Sequence, residues 1–155
     1  VIKRPQILAT DESQIEPVIE HVLEQLKQEN YVPDIILLLQ NTSPFRSSEH
    51  IDSALNFFMS NDYDSVFSAY KEHWLPRWSL DNQPDNWEID NRPMRQEIDE
   101  KYVENGAFYI THKEALMSSC LRYSGNIGII EMPLSRSFQI DNKDDLLLIK
   151  ELINE

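Results

Sequence analysis

Apolar and polar residues recur along this chain with two different periods, and the changes of period mark its elements. Ile15, Val18, Ile19, Val22, Leu23 and Leu26 stand three or four apart with Glu, Gln and Lys between them, and Pro17 falls where a first helical turn accepts proline. The spacing predicts an amphipathic helix over residues 13–30. After a turn at Pro33 and Asp34, Ile35-Ile36-Leu37-Leu38-Leu39 is continuously apolar. A short run of that kind suits a strand covered on both faces, so it reads as a central parallel strand. Polar residues 40–46 then lead into a second helical pattern, Ile51, Ala54, Leu55 and Phe58, capped by Ser47 or Ser48. Residues 65–70 alternate as a second strand. Further on, the pattern predicts strands at 107–110 and 127–131 and a short helix at 113–120. A turn at Asp141 and Asn142 precedes a final helix carrying Leu146, Ile149 and Ile153.

Strands alternating with helices imply an α/β fold with a mostly parallel, Rossmann-like sheet, whose ligands sit beyond the carboxyl ends of the strands. Residues 71–101 interrupt the rhythm. They hold all three tryptophans (Trp74, Trp78, Trp87) and three of the eight prolines without clear periodicity. The expectation is one domain over 1–155 with an insert at 71–101.

Charge narrows the partners. The 155 residues carry 14 Lys+Arg against 27 Asp+Glu, a formal charge of −13. Such a field repels nucleic-acid backbones and anionic membranes, so neither is expected as a partner. No apolar run approaches the ~20 residues a bilayer-crossing helix needs, and no basic-then-apolar leader opens the sequence, so a cytoplasmic protein is expected. A lone Cys120 excludes an internal disulfide framework. With only three glycines, Gly106, Gly125 and Gly128, there is no glycine-rich phosphate loop.

Three features carry candidate chemistry, and each has two readings. Residues 40–46, Gln-Asn-Thr-Ser-Pro-Phe-Arg, form a polar loop off an apolar strand. It is either a binding loop or a connection whose Thr42 and Ser43 satisfy backbone groups. Arg92-Pro93-Met94-Arg95-Gln96 is a basic island in an acidic chain, suited to a carboxylate or phosphate but equally to surface ion pairs. Phe138-Gln139-Ile140-Asp141 places an acid where a strand ends. Asp141 suits Mg²⁺, and Asp141-x-x-Asp144 also suits a helix cap.

Together these strings resemble the acylneuraminate cytidylyltransferases, the CMP-sialic acid synthetases. Leu38-Leu39-Gln40-Asn41-Thr42-Ser43-Pro44-Phe45-Arg46 is similar to that family's LLQPTSPLR loop, with Asn41 in place of proline. Arg4-Pro5-x-x-Leu8-Ala9-x-Asp11 is similar to its RPxxLAxD segment. Pro76-Arg77-Trp78, the RPxRQ string at 92–96, Glu104-Asn105-Gly106-Ala107-Phe108-Tyr109, Glu131-Met132-Pro133 and the stretch from Ser137 to Asp141 follow in the family's order. The resemblance implies a nucleotide-diphospho-sugar transferase type of sheet. It also implies transfer of CMP from CTP to a nine-carbon, sialic-type acid, with release of pyrophosphate and with Mg²⁺ as cofactor. It assigns Arg95 and Asp141 as the residues turnover depends on, Asp141 and Gln139 to the metal, and Gln40, Arg77, Arg95, Gln96 and Asn105 to the sugar acid. Arg4 and Ser13 fall to the nucleotide. It further implies a homodimer through residues 71–101, in which Arg77 and Arg95 serve the partner's site.

Two departures qualify it. Many members carry D-x-D where this chain has Gln139-Ile140-Asp141, so one metal-binding carboxylate is an amide. The family's first strand and its Gly-rich, basic triphosphate loop also have no counterpart, since the sequence begins at Val1 just downstream of them. The alternatives are therefore a non-catalytic fragment keeping the sugar-acid half-site and dimer insert, or the same chemistry on another acidic sugar such as 3-deoxy-octulosonate, legionaminate or pseudaminate.

Overall fold

The computed structural model describes residues 1–154. Helix α1 covers Ile15–Gln28, strand β1 Ile35–Leu38, helix α2 Ser48–Met59, and strand β2 Ser65–Glu72. Strand β3 covers Lys101–His112, helix α3 Lys113–Ser119, strand β4 Ile127–Glu131, and helix α4 Lys143–Asn154. Every helix and strand expected from the pattern forms except the strand expected to end at Asp141: residues 137–140 lie in no strand and run as irregular chain between a 3₁₀ turn, Leu134–Arg136, and α4. At the start of α2 the Ser47 N–H donates to His50 Nδ1 at 3.1 Å, so a histidine takes the reciprocal capping place usually held by Glu or Gln.

The sheet departs from expectation. Its order is β1-β3-β2-β4, with β3 antiparallel to both β1 and β2, and only β2 and β4 paired in parallel. The sheet is mixed rather than mostly parallel. Strand β1, expected to be central and parallel, lies at an edge among the described residues and pairs with β3 alone. The cause is the insert. It leaves the end of β2 at Glu72 and returns beside it at Lys101, so the chain re-enters the sheet running backwards between β1 and β2. An apolar run such as 35–39 has the same composition whichever way its neighbour runs.

Beneath the sheet, Ala54 and Phe58 of α2 pack with Val66, Ala107, Phe108, Ile110 and Met132 to form the buried core. Phe58 is 1% exposed, and burial on that scale contributes on the order of 1.5–3 kcal/mol. Phe67, Tyr109 and Tyr123 form an aromatic cluster, with the Arg122 guanidinium 5.2 Å from the centre of the Tyr109 ring. Arg122 Nε also donates to Glu16 Oε1 at 2.8 Å, tying α1 to the segment after α3. Burial, reinforced by a hydrogen bond to the Glu104 carboxylate at 2.9 Å, pushes the Tyr109 hydroxyl pKa well above the usual phenol value.

The insert folds on itself. Trp78 and Trp87 meet edge to face at 5.0 Å, Arg92 lies 5.3 Å from the Trp87 ring, and isolated bridges join Trp78 to Pro84 and Glu88 to Asn91. Leu80, Ile89 and Met94 stay exposed. No described helix is long and apolar enough to cross a membrane.

Candidate functional site

Strand β3 is broken by a bulge. Phe67 pairs with Tyr109 and Ala69 with Glu104, so residues 105–108 of β3 stand opposite Ser68 alone. The extra backbone bows out of the ladder, and Gly106 takes a φ of +64°, which glycine adopts without strain. Side chains replace the missing ladder bonds. Ser68 Oγ accepts the Phe108 N–H at 3.0 Å and donates to the Phe108 carbonyl at 3.2 Å.

The loop after β1 closes on this bulge from the other side. Ser43, 4% exposed, donates its hydroxyl to the Asn105 carbonyl at 3.1 Å. Arg46 Nη1 donates to the carbonyls of Gln40 at 2.9 Å and Ala107 at 2.6 Å. Partial burial holds the Arg46 pKa below its ordinary value, since leaving water disfavours the charged guanidinium. A third loop joins from β4. Asn105 Nδ2 donates to Ser137 Oγ at 2.9 Å, and Ser137 in turn donates to the Pro133 carbonyl. The Ile140 N–H donates to the Thr42 carbonyl at 2.9 Å. Residues 40–46, 105–108 and 133–141 are thereby laced into one platform, and β1 and β4 reach it by their carboxyl ends.

Over Gly106 two carboxamides converge. The Oε1 atoms of Gln40 and Gln139 both lie closer than 3.0 Å to the point where a Cβ on Gly106 would stand. The bare glycine is the gap they occupy. Asp141 follows two residues after Gln139, exposed, with its N–H donating to Asp145 Oδ2 at 2.9 Å. Asp145 also accepts from the Asn142 N–H, and Asn142 Oδ1 accepts the Asp144 and Asp145 N–H groups, so the helix start is capped one residue further on than the Asp141-x-x-Asp144 arrangement expected, by Asn142 and Asp145. The Asp141 carboxylate is left outside it.

Each residue assigned from the sequence can now be located. Gln40, Asn105, Gln139 and Asp141 belong to the platform. Asn105 is fully buried with both ends of its amide engaged, Nδ2 on Ser137 and Oδ1 on the Ala107 N–H at 3.2 Å, so it sits beneath the surface the two glutamines form. Arg77 lies on the insert and pairs with Glu72 at 2.9 Å. Arg95 is exposed in a single 3₁₀ turn, Arg95–Glu97, and Gln96 contacts only the Met94 sulfur at 3.4 Å. Arg4 is exposed near the amino end, and Ser13 closes a local turn through Thr10 Oγ1 at 2.8 Å. No hydrogen bond or ion pair among the described residues connects Arg4, Ser13, Arg77, Arg95 or Gln96 to the platform.

Arg46, Gly106 and Ser137 were not singled out for this role by their spacing. Gly106 stands just before the strand expected at 107–110, and only the observed extent of β3, Lys101–His112, makes it an isolated glycine within a strand, the mark of a bulge or a close approach. A recess of about 660 Å³ elsewhere, between α1 and the start of α3, is lined by Leu8, His21, Leu23 and Met117 among others. It contains none of the platform residues and is set aside as the candidate site.

As a metal centre the platform is sparse. Among the described residues no three His, Cys, Asp or Glu side chains gather into a cage. One free carboxylate, Asp141, fits a Mg²⁺ that draws its remaining oxygens from water and a substrate's phosphates, the usual habit of that ion.

Comparison with known proteins follows the same line. No family model matches the chain. It is 27% identical over 152 residues to an N-acylneuraminate cytidylyltransferase of Streptococcus agalactiae serotype V, which takes in 95% of this chain and 36% of that protein. It is 27% identical over 160 residues to the post-translational flagellin modification protein B of Campylobacter coli, 99% of this chain and 67% of that one. N-acylneuraminate cytidylyltransferase A of Danio rerio matches at 29% over 115 residues, 70% of this chain and 26% of that protein. The chain thus spans about a third of the first relative's length. In fold it is similar to a 4-diphosphocytidyl-2C-methyl-D-erythritol synthase of Anaerococcus prevotii. The TM-score is 0.50 at 12% identity, over 91% of this chain and 78% of the other.

Proposed function

We propose that this chain, a relative of the N-acylneuraminate cytidylyltransferases, carries the sugar-acid half of a cytidylyltransferase site that forms a CMP-sugar from CTP and a nonulosonic acid. One observation carries the reading. Of the residues through which the sequence resembles that family, Gln40, Asn105, Gln139 and Asp141 meet on one platform at the end of the sheet where α/β folds bind ligands, while Arg4, Arg77, Arg95 and Gln96 stand apart from it.

In the proposed reaction a hydroxyl oxygen of the sugar acid attacks the α-phosphorus of CTP. A new P–O bond forms, the bond from that phosphorus to the bridging oxygen breaks, pyrophosphate leaves, and the hydroxyl's proton passes to water. Binding two polyanions side by side needs orientation and cations more than covalent help. Gln40 offers a carboxamide, both donor and acceptor, to the sugar's hydroxyl or acyl groups. Asn105, Ser43 and Ser137 hold its loop from beneath. Asp141 would hold Mg²⁺, which when bound neutralises phosphate charge. Arg95 is exposed on its 3₁₀ turn, and as a guanidinium it suits a ligand carboxylate. In this reading the insert delivers Arg95 to the site of a second copy, and its exposed Leu80, Ile89 and Met94 supply apolar surface for a homodimer.

The test is CMP-sugar formation from CTP, Mg²⁺ and N-acetylneuraminate or 3-deoxy-octulosonate, followed by release of pyrophosphate. Arg95→Ala is expected to lower kcat/KM by about a hundredfold, the loss of one fully used charged contact. Turnover unchanged by Arg95→Ala refutes the assignment of that arginine. Absence of any CMP-sugar from protein in which this chain is joined to the family's triphosphate-binding segment refutes the reaction.

A further inference from the structure

We infer that Gln139 is a sugar-contacting, specificity-determining residue, paired with Gln40 across Gly106, and not a metal ligand. The inference rests on the proposed function and deepens it. In the sequence, Gln139 stands where a metal-binding carboxylate is expected two residues before Asp141. The structure gives it another neighbour. Its Oε1 lies 2.8 Å from the point a Cβ on Gly106 would occupy, and the Gln40 Oε1 reaches the same point from the opposite loop. Two carboxamides, each with one acceptor oxygen and two N–H donors, therefore border a single backbone gap.

Three facts favour a neutral, polyol-binding role. Gln139 is half-buried on the platform whereas Asp141 is exposed, so the two side chains of this segment do not share one environment. No other Asp, Glu or His joins them in a cluster of three among the described residues, and a neutral amide oxygen adds little to a Mg²⁺ site lacking such company. Finally, the Gln139 segment is pinned to the Gln40 loop through the Ile140 N–H and the Thr42 carbonyl, so the two amides keep a fixed spacing. Two half-buried carboxamides at one gap discriminate between hydroxyl and N-acyl patterns, because an analogue lacking the partner group leaves them without the hydrogen bonds they give up water to make. The substrate class it selects is an acidic sugar bearing adjacent hydroxyl or acylamino groups.

The deciding experiment compares Gln139→Ala and the isosteric Gln139→Glu with wild type. Calorimetry follows N-acetylneuraminate and 3-deoxy-octulosonate binding, and separate titrations follow Mg²⁺ in the presence of CTP. The two roles predict opposite signs for Gln139→Glu. As a sugar contact, the new carboxylate repels the sugar acid and weakens its binding by about tenfold or more, while Mg²⁺ affinity stays within about twofold. As a metal ligand, it adds charge and tightens Mg²⁺. Gln139→Ala is expected to weaken sugar binding by about tenfold and leave Mg²⁺ unchanged. The pairing is overturned if either variant binds the sugar as wild type does, or if Gln139→Ala loosens Mg²⁺ and Gln139→Glu tightens it. Wild-type protein that binds neither sugar acid overturns the substrate class, and the pairing with it. That outcome is distinguished from a wrong pairing because the wild type itself fails.

Discussion

Arg46 is the residue whose removal most directly tests how the platform is held together. Its Nη1 donates to the Gln40 and Ala107 carbonyls at 2.9 and 2.6 Å, linking the loop after β1 to the bulge in β3. Replacing it with Met keeps most of the stem's packing and removes both bonds. Hydrogen bonds from a charged donor contribute roughly 1.5–3 kcal/mol each. The two bonds here leave from one nitrogen and do not sum in full. Burial also disfavours the guanidinium's charge, as its lowered pKa records, and offsets part of the gain. The expected net loss is about 2 kcal/mol. With a urea slope on the order of 2 kcal/mol per molar, the unfolding midpoint falls by about 1 M with the slope unchanged. Arg46→Lys keeps a donor nitrogen able to serve both carbonyls but ends on a shorter stem that cannot place it where Nη1 sits, and is expected near half that shift. A midpoint within about 0.3 M of wild type for Arg46→Met, or an Arg46→Lys variant as stable as wild type, refutes the claim that this guanidinium staples the loop to the bulge.

Other substitutions probe neighbouring parts. Gly106→Ala places a Cβ against both glutamine amides at a positive φ, so stability is expected to fall by ~1–2 kcal/mol and sugar binding to weaken as Gln40 is displaced; wild-type values for both would remove Gly106 from the site. Tyr109 holds its proton more tightly folded than unfolded, so stability falls as pH rises above the ordinary phenol value of ~10, where only the unfolded chain ionises. In melting curves from pH 8 to 11, Tyr109→Phe is expected to flatten that alkaline loss while being slightly less stable at pH 8; identical slopes would contradict it. Arg122→Met leaves the largely buried Glu16 carboxylate unpaired and strips the cation from the Tyr109 ring, for an expected loss of ~3 kcal/mol in chemical denaturation.

Much of this molecule could be read from the linear pattern, for reasons particular to each element. Residues 15–28 declare a helix because their apolar positions recur at helical spacing, and Ser47 caps the next helix through a neighbour only three positions away. Strand β4 was placed residue for residue, its apolar run being bounded on both sides by polar turns. The family resemblance was legible because it rests on short contiguous strings, and comparison with longer relatives agrees with it. Strand β3 was read too short, as 107–110, since its first residues, Lys101 to Glu104, are held by pairing with β2 rather than by burying apolar side chains.

What the sequence by itself determined is therefore local: the helices, most of the strands, the cap at Ser47, and the strings that resemble the cytidylyltransferases. The tertiary structure decided strand direction, because the insert's return path sets whether β3 runs with or against its neighbours, and no residue in β1 encodes that. It also decided the company Gln139 keeps. The family resemblance placed Gln139 with Asp141, two residues away, whereas the bulge in β3 and the loop after β1 bring it to Gln40, far off in sequence, across a glycine with no side chain to hold them apart.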